Sequence, residues 1–354
     1  MSTIERIRET LTEQEYSAVL IKNPANILYA TGFHTDAGAL LIAESGAWFY
    51  TDPRYIEAAA ATIKDAHIML IESGSSYTGE IKSVLAEYGI TSVGFEESSI
   101  TYSEYLDWEE KLDVKLAPAQ KLLRGMRMVK SAGDLEKMIK AQRIAEKSFS
   151  EILPLINTDM TEKELAAELI YRFLVNGADD KSFDTIVVSG PKSSMPHGVP
   201  GDVKIGQGFL TIDFGVRLDG WCSDTTRTLC VGKPDEGMLK VYNTVLQAQR
   251  TGISAARAGA ACRDVDAAAR AVIDNAGYGE YFGHGFGHGV GLEIHEAPQA
   301  SRISEDVLPA GAVISAEPGI YLPGRYGVRI EDVLYITEKG CVNITELTKE
   351  LIII

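Results

Sequence analysis

Five potential metal ligands lie in five short motifs in the second half of the chain, each in an apolar or glycine-rich strand context. The motifs read T-I-D-F-G, S-D-T-T-R-T, G-H-G-F-G-H-G-V-G-L-E-I-H-E, S-A-E-P-G-I-Y and V-R-I-E-D-V, and the ligands are Asp213, Asp224, His288, Glu317 and Glu331. Burying four carboxylates without cations would be prohibitively costly. A pair of divalent metal ions would remove that cost and supply a hydrolytic centre. The fold must therefore bring these five segments together.

The first two ligands lie on one predicted β-hairpin. Apolar side chains alternate along Leu210–Leu218, so Asp213 lies on the opposite face. Asp219-Gly220 is a strong signal for a two-residue turn, and counting outward from it pairs Asp213 with Thr226. Asp224 shares the face of Thr226, so the two aspartates are diagonal neighbours, roughly 7–8 Å apart at Cα. This spacing suits two carboxylates that share a metal pair. The alternative is two solvated acids on an exposed hairpin face.

The histidines are concentrated in two motifs. Of six in the chain, His197 lies in M-P-H-G-V-P, and His284, His288 and His295 lie in the glycine-rich stretch. Any one of them alone is more often a structural residue than a ligand. A single neutral imidazole among oxygen ligands fits manganese, cobalt, zinc or iron better than a structural zinc site. The other histidines would then be free for substrate binding and proton transfer.

The last two acidic residues end or interrupt predicted strands at Val313–Glu317 and Arg329–Ile336. Pro318 cannot donate to a strand ladder, so it marks a strand end that opens onto a cleft. Strand alternation puts Glu331 on the same face as Arg329, whose guanidinium could orient it. A surface salt bridge is the alternative for Glu331 taken alone.

The chain divides into two predicted domains. Strands alternate with helices in the first part, which predicts an α/β domain over residues 1–125. Ser131 with Asp134 and Thr161 with Glu164 are predicted to cap two helices that follow. Further strands and helices alternate less regularly, which predicts an α+β domain over residues 126–354.

Composition excludes several classes of function. The net charge of −16 argues against nucleic-acid binding, because a phosphate backbone needs a basic surface. The polar N-terminus has no apolar core of the signal-peptide kind, and no run approaches the length of a membrane span. The four cysteines have no C-x-x-C spacing, so no disulfide framework is predicted. We therefore expect a cytoplasmic protein without a membrane partner.

Taken in order, the five motifs resemble those of the pita-bread dinuclear metallopeptidases, which include aminopeptidase P and prolidase. The T-G-F and T-D-P-R-Y segments of the first part resemble the N-terminal creatinase/prolidase-like domain of the same family. The resemblance implies an α/β N-terminal domain followed by an α+β pita-bread catalytic domain. It also implies a homodimer.

The resemblance implies a role for each site residue. Two divalent ions, manganese or alternatively cobalt, zinc or iron, would be held by Asp213, Asp224, His288, Glu317 and Glu331, with Asp224 and Glu331 bridging both. His197, His284 and His295 match substrate-side histidines, and His295 is the candidate for proton relay. Glu317 would also transfer protons, and Tyr321 and Arg329 match residues that support the site.

The implied activity is hydrolysis of Xaa-Pro peptide bonds in proline-containing peptides or dipeptides by a metal-bridging hydroxide. Whether the enzyme is an aminopeptidase or a dipeptidase stays open. A methionine aminopeptidase would lack the N-terminal domain. The alternatives are a creatinase-like amidinohydrolase, which does not need the metals, and a non-catalytic peptide-binding member of the fold, which usually loses ligands.

Overall fold

A computed structural model describes residues 1–72 and 74–354. The chain separates into two compact units, Met1–Met126 and Arg127–Ile354. A membrane-spanning helix is absent from the part of the chain that the structure describes.

The first unit is built on one mixed six-stranded sheet. The strands are β1 (Ala18–Ile21), β2 (Ala39–Ala43), β3 (Gly46–Thr51), β4 (His67–Leu70), β5 (Ser92–Phe95) and β6 (Lys115–Pro118), and their order in the sheet is β4-β3-β2-β1-β5-β6. The helices are α1 (Thr3–Leu11), α2 (Pro24–Thr31), α3 (Ile56–Thr62), α4 (Tyr77–Glu87), α5 (Tyr102–Lys111) and α6 (Gln120–Met128). The alternation of strands and helices agrees with the predicted α/β class.

Both faces of this sheet are covered by apolar side chains. Val19 and Ile21 of β1 belong to one core, whereas Ala18 and Leu20 belong to a second core on the opposite face. All four residues are completely buried. A strand buried on both faces is apolar at every position, so β1 is a short continuous run and does not alternate.

The second unit combines four α-helices with several small antiparallel sheets. The helices are α7 (Ala132–Ile152), α8 (Glu162–Val175), α9 (Glu236–Ala255) and α10 (Cys262–Asn275). The strands are β7 (Asp180–Lys181), β8 (Ile186–Ser189), β9 (Gly208–Phe214), β10 (Val216–Leu218), β11 (Trp221–Cys222), β12 (Thr225–Val231), β13 (Gly287–Gly289), β14 (Glu296–Ala300), β15 (Val313–Ala316), β16 (Gly319–Leu322), β17 (Tyr326–Arg329), β18 (Asp332–Thr337) and β19 (Gly340–Asn343). The sheets have the orders β11-β10-β7, β12-β9-β8, β14-β13-β15-β18-β19 and β16-β17.

Two apolar cores hold the second unit together. One joins helices α7 and α8 to β9 through residues such as Phe149, Leu169 and Ile212. The other joins α9 and α10 to the five-stranded sheet through residues such as Val245 and Ile314. Each helix pair therefore packs against strands that carry the predicted ligands. This arrangement agrees with the predicted α+β domain.

The local turn and cap signals predicted from the sequence are confirmed. Ser131 and Thr161 each cap a helix and form a capping box with the residue three positions later. The hairpin turn has positive φ at both Asp219 (50°) and Gly220 (82°), as the predicted turn type requires. The register also pairs Asp213 with Thr226.

The prediction of one continuous strand over Arg329–Ile336 is wrong. Strand β17 ends at Arg329 and pairs with β16, whereas β18 begins at Asp332 and pairs with β15. Glu331 lies between the two strands, so it does not share a strand face with Arg329. The apolar alternation continues through this segment although the chain changes sheets there.

Candidate metal centre

The five predicted ligands lie at or near strand ends of the second unit. One oxygen each of Asp224 and Glu331 and one ring nitrogen of His288 lie within 4.8 Å of one another. His288 Nε2 is 3.6 Å from Asp224 Oδ2 and 3.1 Å from Glu317 Oε1. The remaining predicted ligand, Asp213, lies opposite Thr226 of β12, a strand that begins one residue after Asp224. Asp224, His288 and Glu331 thus form a compact donor group with Glu317 beside it.

Two glycines allow the strand that carries His288 to fit between its neighbours. A Cβ atom at Gly287 would collide with the carbonyl of Ser315, and one at Gly289 would collide with the carbonyl of Ala297. Strand β13 therefore approaches β14 and β15 more closely than side chains at these positions would permit. This close approach brings His288 to the ligand group.

The orientation of the His288 ring is fixed by its other nitrogen. Nδ1 lies 3.1 Å from the carbonyl oxygen of Gly289, which can only accept a hydrogen bond. Nδ1 therefore carries a proton in this contact, and Nε2 is directed toward Asp224 and Glu317. Metal-binding histidines usually have this arrangement, in which the second nitrogen donates to a carbonyl.

Arg329 organises the other side of the site. Its guanidinium donates to Asp213 Oδ2 at 2.6 Å, to the Tyr321 hydroxyl at 2.9 Å and to the Thr226 hydroxyl at 3.0 Å. Thr226 in turn donates to Glu331 Oε2 at 2.7 Å. Arg329 thus contacts Asp213 directly and reaches Glu331 through Thr226, which corrects the expectation that it orients Glu331 across a strand.

Two hydroxyl residues of the site were not singled out from the sequence. Thr226 links Arg329 to Glu331, and Ser315 donates to Glu317 Oε1 at 3.1 Å while accepting from the His288 backbone N–H at 3.0 Å. The sequence signal for both is alternation, because the predicted hairpin puts Thr226 on the face of Asp224 and Ser315 lies two residues before Glu317.

The electrostatics of the site favour cations. Burial and neighbouring carboxylates raise the pKa of Asp224 and Glu331 well above the usual range, and burial also raises the pKa of Asp213. Burial acts in the same direction on Glu317, but the His288 hydrogen bond and nearby cationic groups outweigh it and hold its pKa at about 2. The raised pKa values mean that ionising these carboxylates is costly in the metal-free protein, and a bound divalent cation would favour their ionised forms.

The residues present fit a site for divalent metal ions. Asp213 Oδ1 and Glu331 Oε1 are buried and accept no hydrogen bond from the residues that the structure describes. Buried carboxylate oxygens without partners are costly, and metal coordination is one way to satisfy them. The donor set of carboxylates with one imidazole suits manganese, iron, cobalt or zinc. The fit therefore rests on both unpartnered oxygens and donor chemistry.

The metal-induced rise in Tm is expected to be larger at about pH 8 than at about pH 5. In the metal-free protein Asp224 and Glu331 have raised pKa values, so their favourable contribution is present below the ordinary carboxyl pKa. It is lost as the pH rises through the raised values. The pKa of His288 is raised because Glu317 outweighs burial, and its contribution is also lost as the pH rises. The lowered pKa of Glu317 changes the stability only below about pH 4.5, where the favourable contribution of this group is lost as the pH falls.

Thermal unfolding with chelator and with added manganese, measured at both pH values, tests this expectation. A metal-induced rise in Tm that is equal at the two pH values, or larger at the lower one, would contradict this expectation.

The histidines predicted on the substrate side lie around one cavity of about 720 Å³ that also contains the ligand group. His295 lies against His288, with ring centroids 4.3 Å apart. His284 Nε2 is 2.9 Å from the Tyr321 hydroxyl, and its Nδ1 is 2.9 Å from the Gly285 carbonyl. His197 is exposed and lines the same cavity. Burial lowers the pKa of both His284 and His295, so both rings are neutral at pH 7.

Comparisons with known proteins identify the family of both units. Residues 136–338 match the model of metallopeptidase family M24, and residues 3–129 match that of the creatinase/prolidase N-terminal domain. An Xaa-Pro dipeptidase of Pyrococcus horikoshii is 37% identical over 352 residues, which cover 99% of this chain and 98% of the relative.

Solved structures are similar over nearly the whole chain. An Xaa-Pro dipeptidase from Bacillus anthracis has a TM-score of 0.96 at 40% identity, covering 99% of both chains. An X-Pro aminopeptidase from Thermotoga maritima has a TM-score of 0.91 at 34% identity, covering 98% of this chain and 100% of that one. The pita-bread fold predicted from the motifs is confirmed. The chain therefore belongs to metallopeptidase family M24 and carries a creatinase/prolidase N-terminal domain.

Proposed function

We propose that the chain hydrolyses Xaa-Pro peptide bonds at a dinuclear metal centre in a catalytic domain of residues 126–354, with residues 1–125 as the N-terminal domain. Asp213, Asp224, His288, Glu317 and Glu331 would hold the two ions. The observation that carries this proposal is the donor group of Asp224, His288 and Glu331 within 4.8 Å. The unpartnered oxygens of Asp213 and Glu331 support it.

Bound divalent ions lower the pKa of a nucleophilic water and polarise the substrate carbonyl. The chain's own residues would bind the peptide and move protons. Glu317 would transfer a proton from the water, because its carboxylate lies beside the ligand group, with Oε1 3.1 Å from His288 Nε2. Neutral His295 can relay a proton to the leaving imino nitrogen, while His197 and His284 contact the substrate.

Arg329 and Tyr321 would keep this arrangement in place. The Tyr321 hydroxyl accepts from Arg329 and donates to His284 Nε2, each at 2.9 Å. His284 is a competent acceptor because its Nδ1 faces the Gly285 carbonyl and carries the proton. The chain of hydrogen bonds therefore connects Asp213 on the metal side to His284 on the substrate side.

The proline preference rests on the relatives and on the cavity. The relatives are named Xaa-Pro dipeptidase and X-Pro aminopeptidase, and the cavity of about 720 Å³ has room for a short peptide. Apolar residues such as Phe183, Ile186 and Ile294 line it and suit a proline ring. A proline amide lacks an N–H, so the enzyme must recognise its ring and restricted φ.

An assay of paired peptides tests the activity. We expect the purified protein with manganese to hydrolyse Xaa-Pro peptides and to leave matched Xaa-Ala peptides intact. Chelator should abolish the hydrolysis, and added manganese should restore it. A length series from Xaa-Pro dipeptides upward then separates a dipeptidase, which cleaves only the dipeptide, from an aminopeptidase. Equal cleavage of Xaa-Ala peptides would contradict the proline preference.

Three finer expectations are proposals of the same kind: manganese as the working ion, a homodimer, and a cytoplasmic location. Metal analysis, light scattering and cell fractionation test them in turn. The creatinase-like and non-catalytic alternatives are not favoured, because the relatives are prolidases and all five ligand positions carry donor residues.

A further inference from the structure

The loop that carries His197 has an exposed tip and hydrogen-bonded ends. We define the His197 loop as residues 190–200; it begins with a 3₁₀ turn, Gly190–Ser194, that directly follows β8. Its tip is exposed, with Met195 at 58% and Val199 at 76% of full exposure. The Pro196 carbonyl accepts from Arg329 Nη1 at 3.3 Å. A loop with such an exposed tip needs fixed ends to keep His197 at the cavity.

One buried carboxylate contacts both ends of the His197 loop. Glu162 Oε1 accepts from the Ser189 backbone N–H at 2.8 Å and from the Ser189 hydroxyl at 3.2 Å. Its Oε2 accepts from Lys192 Nζ at 2.6 Å and from the Gly201 backbone N–H at 3.2 Å. The side chain of Glu162 is completely buried. These four bonds join residue 189 to residue 201 across the loop.

Glu162 is itself rigidly placed. It is the first residue of α8, whose side chains Leu165 and Leu169 are completely buried in the core. Its backbone N–H donates to the Val203 carbonyl at 3.0 Å, and that of Lys163 donates to the Gly201 carbonyl at 3.1 Å. The start of α8 is thus bonded to the chain that leaves the loop. A buried carboxylate needs hydrogen-bond donors around it. The donors to the Glu162 carboxylate named above all belong to the loop or its ends.

We propose that Glu162 is a positioning residue that clamps the His197 loop and so holds His197 over the substrate cavity. The proposal rests on the proposed function, because His197 acts there as a substrate-side residue. Lys192, whose side chain is only 29% exposed, is the cationic half of the clamp. None of the proposed metal ligands is among the hydrogen-bond partners of Glu162 named above, so loss of the clamp should leave the metal content unchanged.

Hydrogen exchange tests the clamp without any assay of activity. In Glu162→Gln the amides of residues 189–201 should exchange at least about tenfold faster, because one carboxylate oxygen is replaced by a donor. Lys192→Met, which keeps Glu162, should have a smaller effect in the same segment. The control is Glu168→Gln, on the same helix, where the side chain pairs with Arg172 at 2.8 Å and has no hydrogen bond to the loop among the described residues. Exchange in Glu162→Gln equal to that of the control would overturn the proposal.

A double-mutant cycle tests whether the clamp acts through His197. We expect Glu162→Gln to lower kcat/KM on an Xaa-Pro peptide about tenfold at unchanged metal content. His197→Ala should then cost much less in the Glu162→Gln background than in the Glu168→Gln background, because the two act as a unit. The proposal would be overturned if His197→Ala lowered kcat/KM by the same factor in both backgrounds, or if it had no effect in the wild type. If the wild type cleaves no peptide, the proposed function fails and hydrogen exchange alone decides on the clamp.

Discussion

Replacing Glu331 with glutamine is expected to lower kcat for Xaa-Pro peptides by at least about 1,000-fold, because the site loses a ligand charge that supports metal-assisted catalysis. Glutamine has the same shape and can still accept a hydrogen bond from the Thr226 hydroxyl, which lies 2.7 Å from Glu331 Oε2. It has no negative charge, however, and presents a donor amide to the cation. The metal content of the purified variant should fall with the activity.

The stability of this variant separates loss of metal from loss of fold. Burial raises the pKa of Glu331 well above its usual range, so the metal-free wild type carries a cost at this position. Glu331→Gln should therefore be at least as stable as the wild type in chelator, although it is inactive. The exposed Glu338→Gln, on the turn after β18, is the control and should keep full activity. A Glu331→Gln variant that retained wild-type kcat would contradict the ligand role.

Replacing Arg329 with methionine is expected to lower the free energy of unfolding of the metal-free protein by about 3–5 kcal/mol. The change leaves the buried Asp213 carboxylate without the donor that now lies 2.6 Å from Oδ2. It also removes hydrogen bonds to Thr226 and Tyr321. The loss should be smaller with bound metal, because a cation on Asp213 replaces part of the missing charge. Urea unfolding in chelator and in manganese measures both values.

A second buried arginine supplies the control for this experiment. Among the described residues, Arg270 pairs with Asp266 at 2.9 Å and donates to the Phe282 and His284 carbonyls, and none of these three residues is a proposed metal ligand. Arg270→Met should destabilise the protein by a similar amount with and without metal. If bound metal reduces the loss of stability equally in the two variants, Arg329 does not act on the charge of the metal site.

The parts of the fold that depend on local signals were predictable from the sequence. The Asp219-Gly220 turn has positive φ at both residues, and counting outward from this two-residue turn gave the pairing of Asp213 with Thr226. Helix caps at Ser131 and Thr161 are equally local. Four carboxylates in apolar or glycine-rich segments also predicted a cation site, because burying charge is costly whichever elements carry it.

The parts that depend on contacts between distant segments were not predictable. The segment V-R-I-E-D-V alternates like one strand, but the partners of β17 and β18 lie in different sheets, and Glu331 falls between them. Thr226 contacts Glu331 across 105 positions of the chain. Glu162 follows a helix cap where exposed acids are common, and its burial depends on a loop that begins almost thirty residues later. Alternation and capping contain no information about such partners.

In our proposal this cluster of carboxylates and one histidine holds divalent ions on which peptide hydrolysis depends. The most direct measurement is hydrolysis of an Xaa-Pro dipeptide by the wild-type protein after exhaustive treatment with chelator, followed by titration with manganese. We predict no hydrolysis in the metal-free protein and a return of activity that saturates at about two ions per chain. Full activity in protein shown to be free of metal would contradict the account.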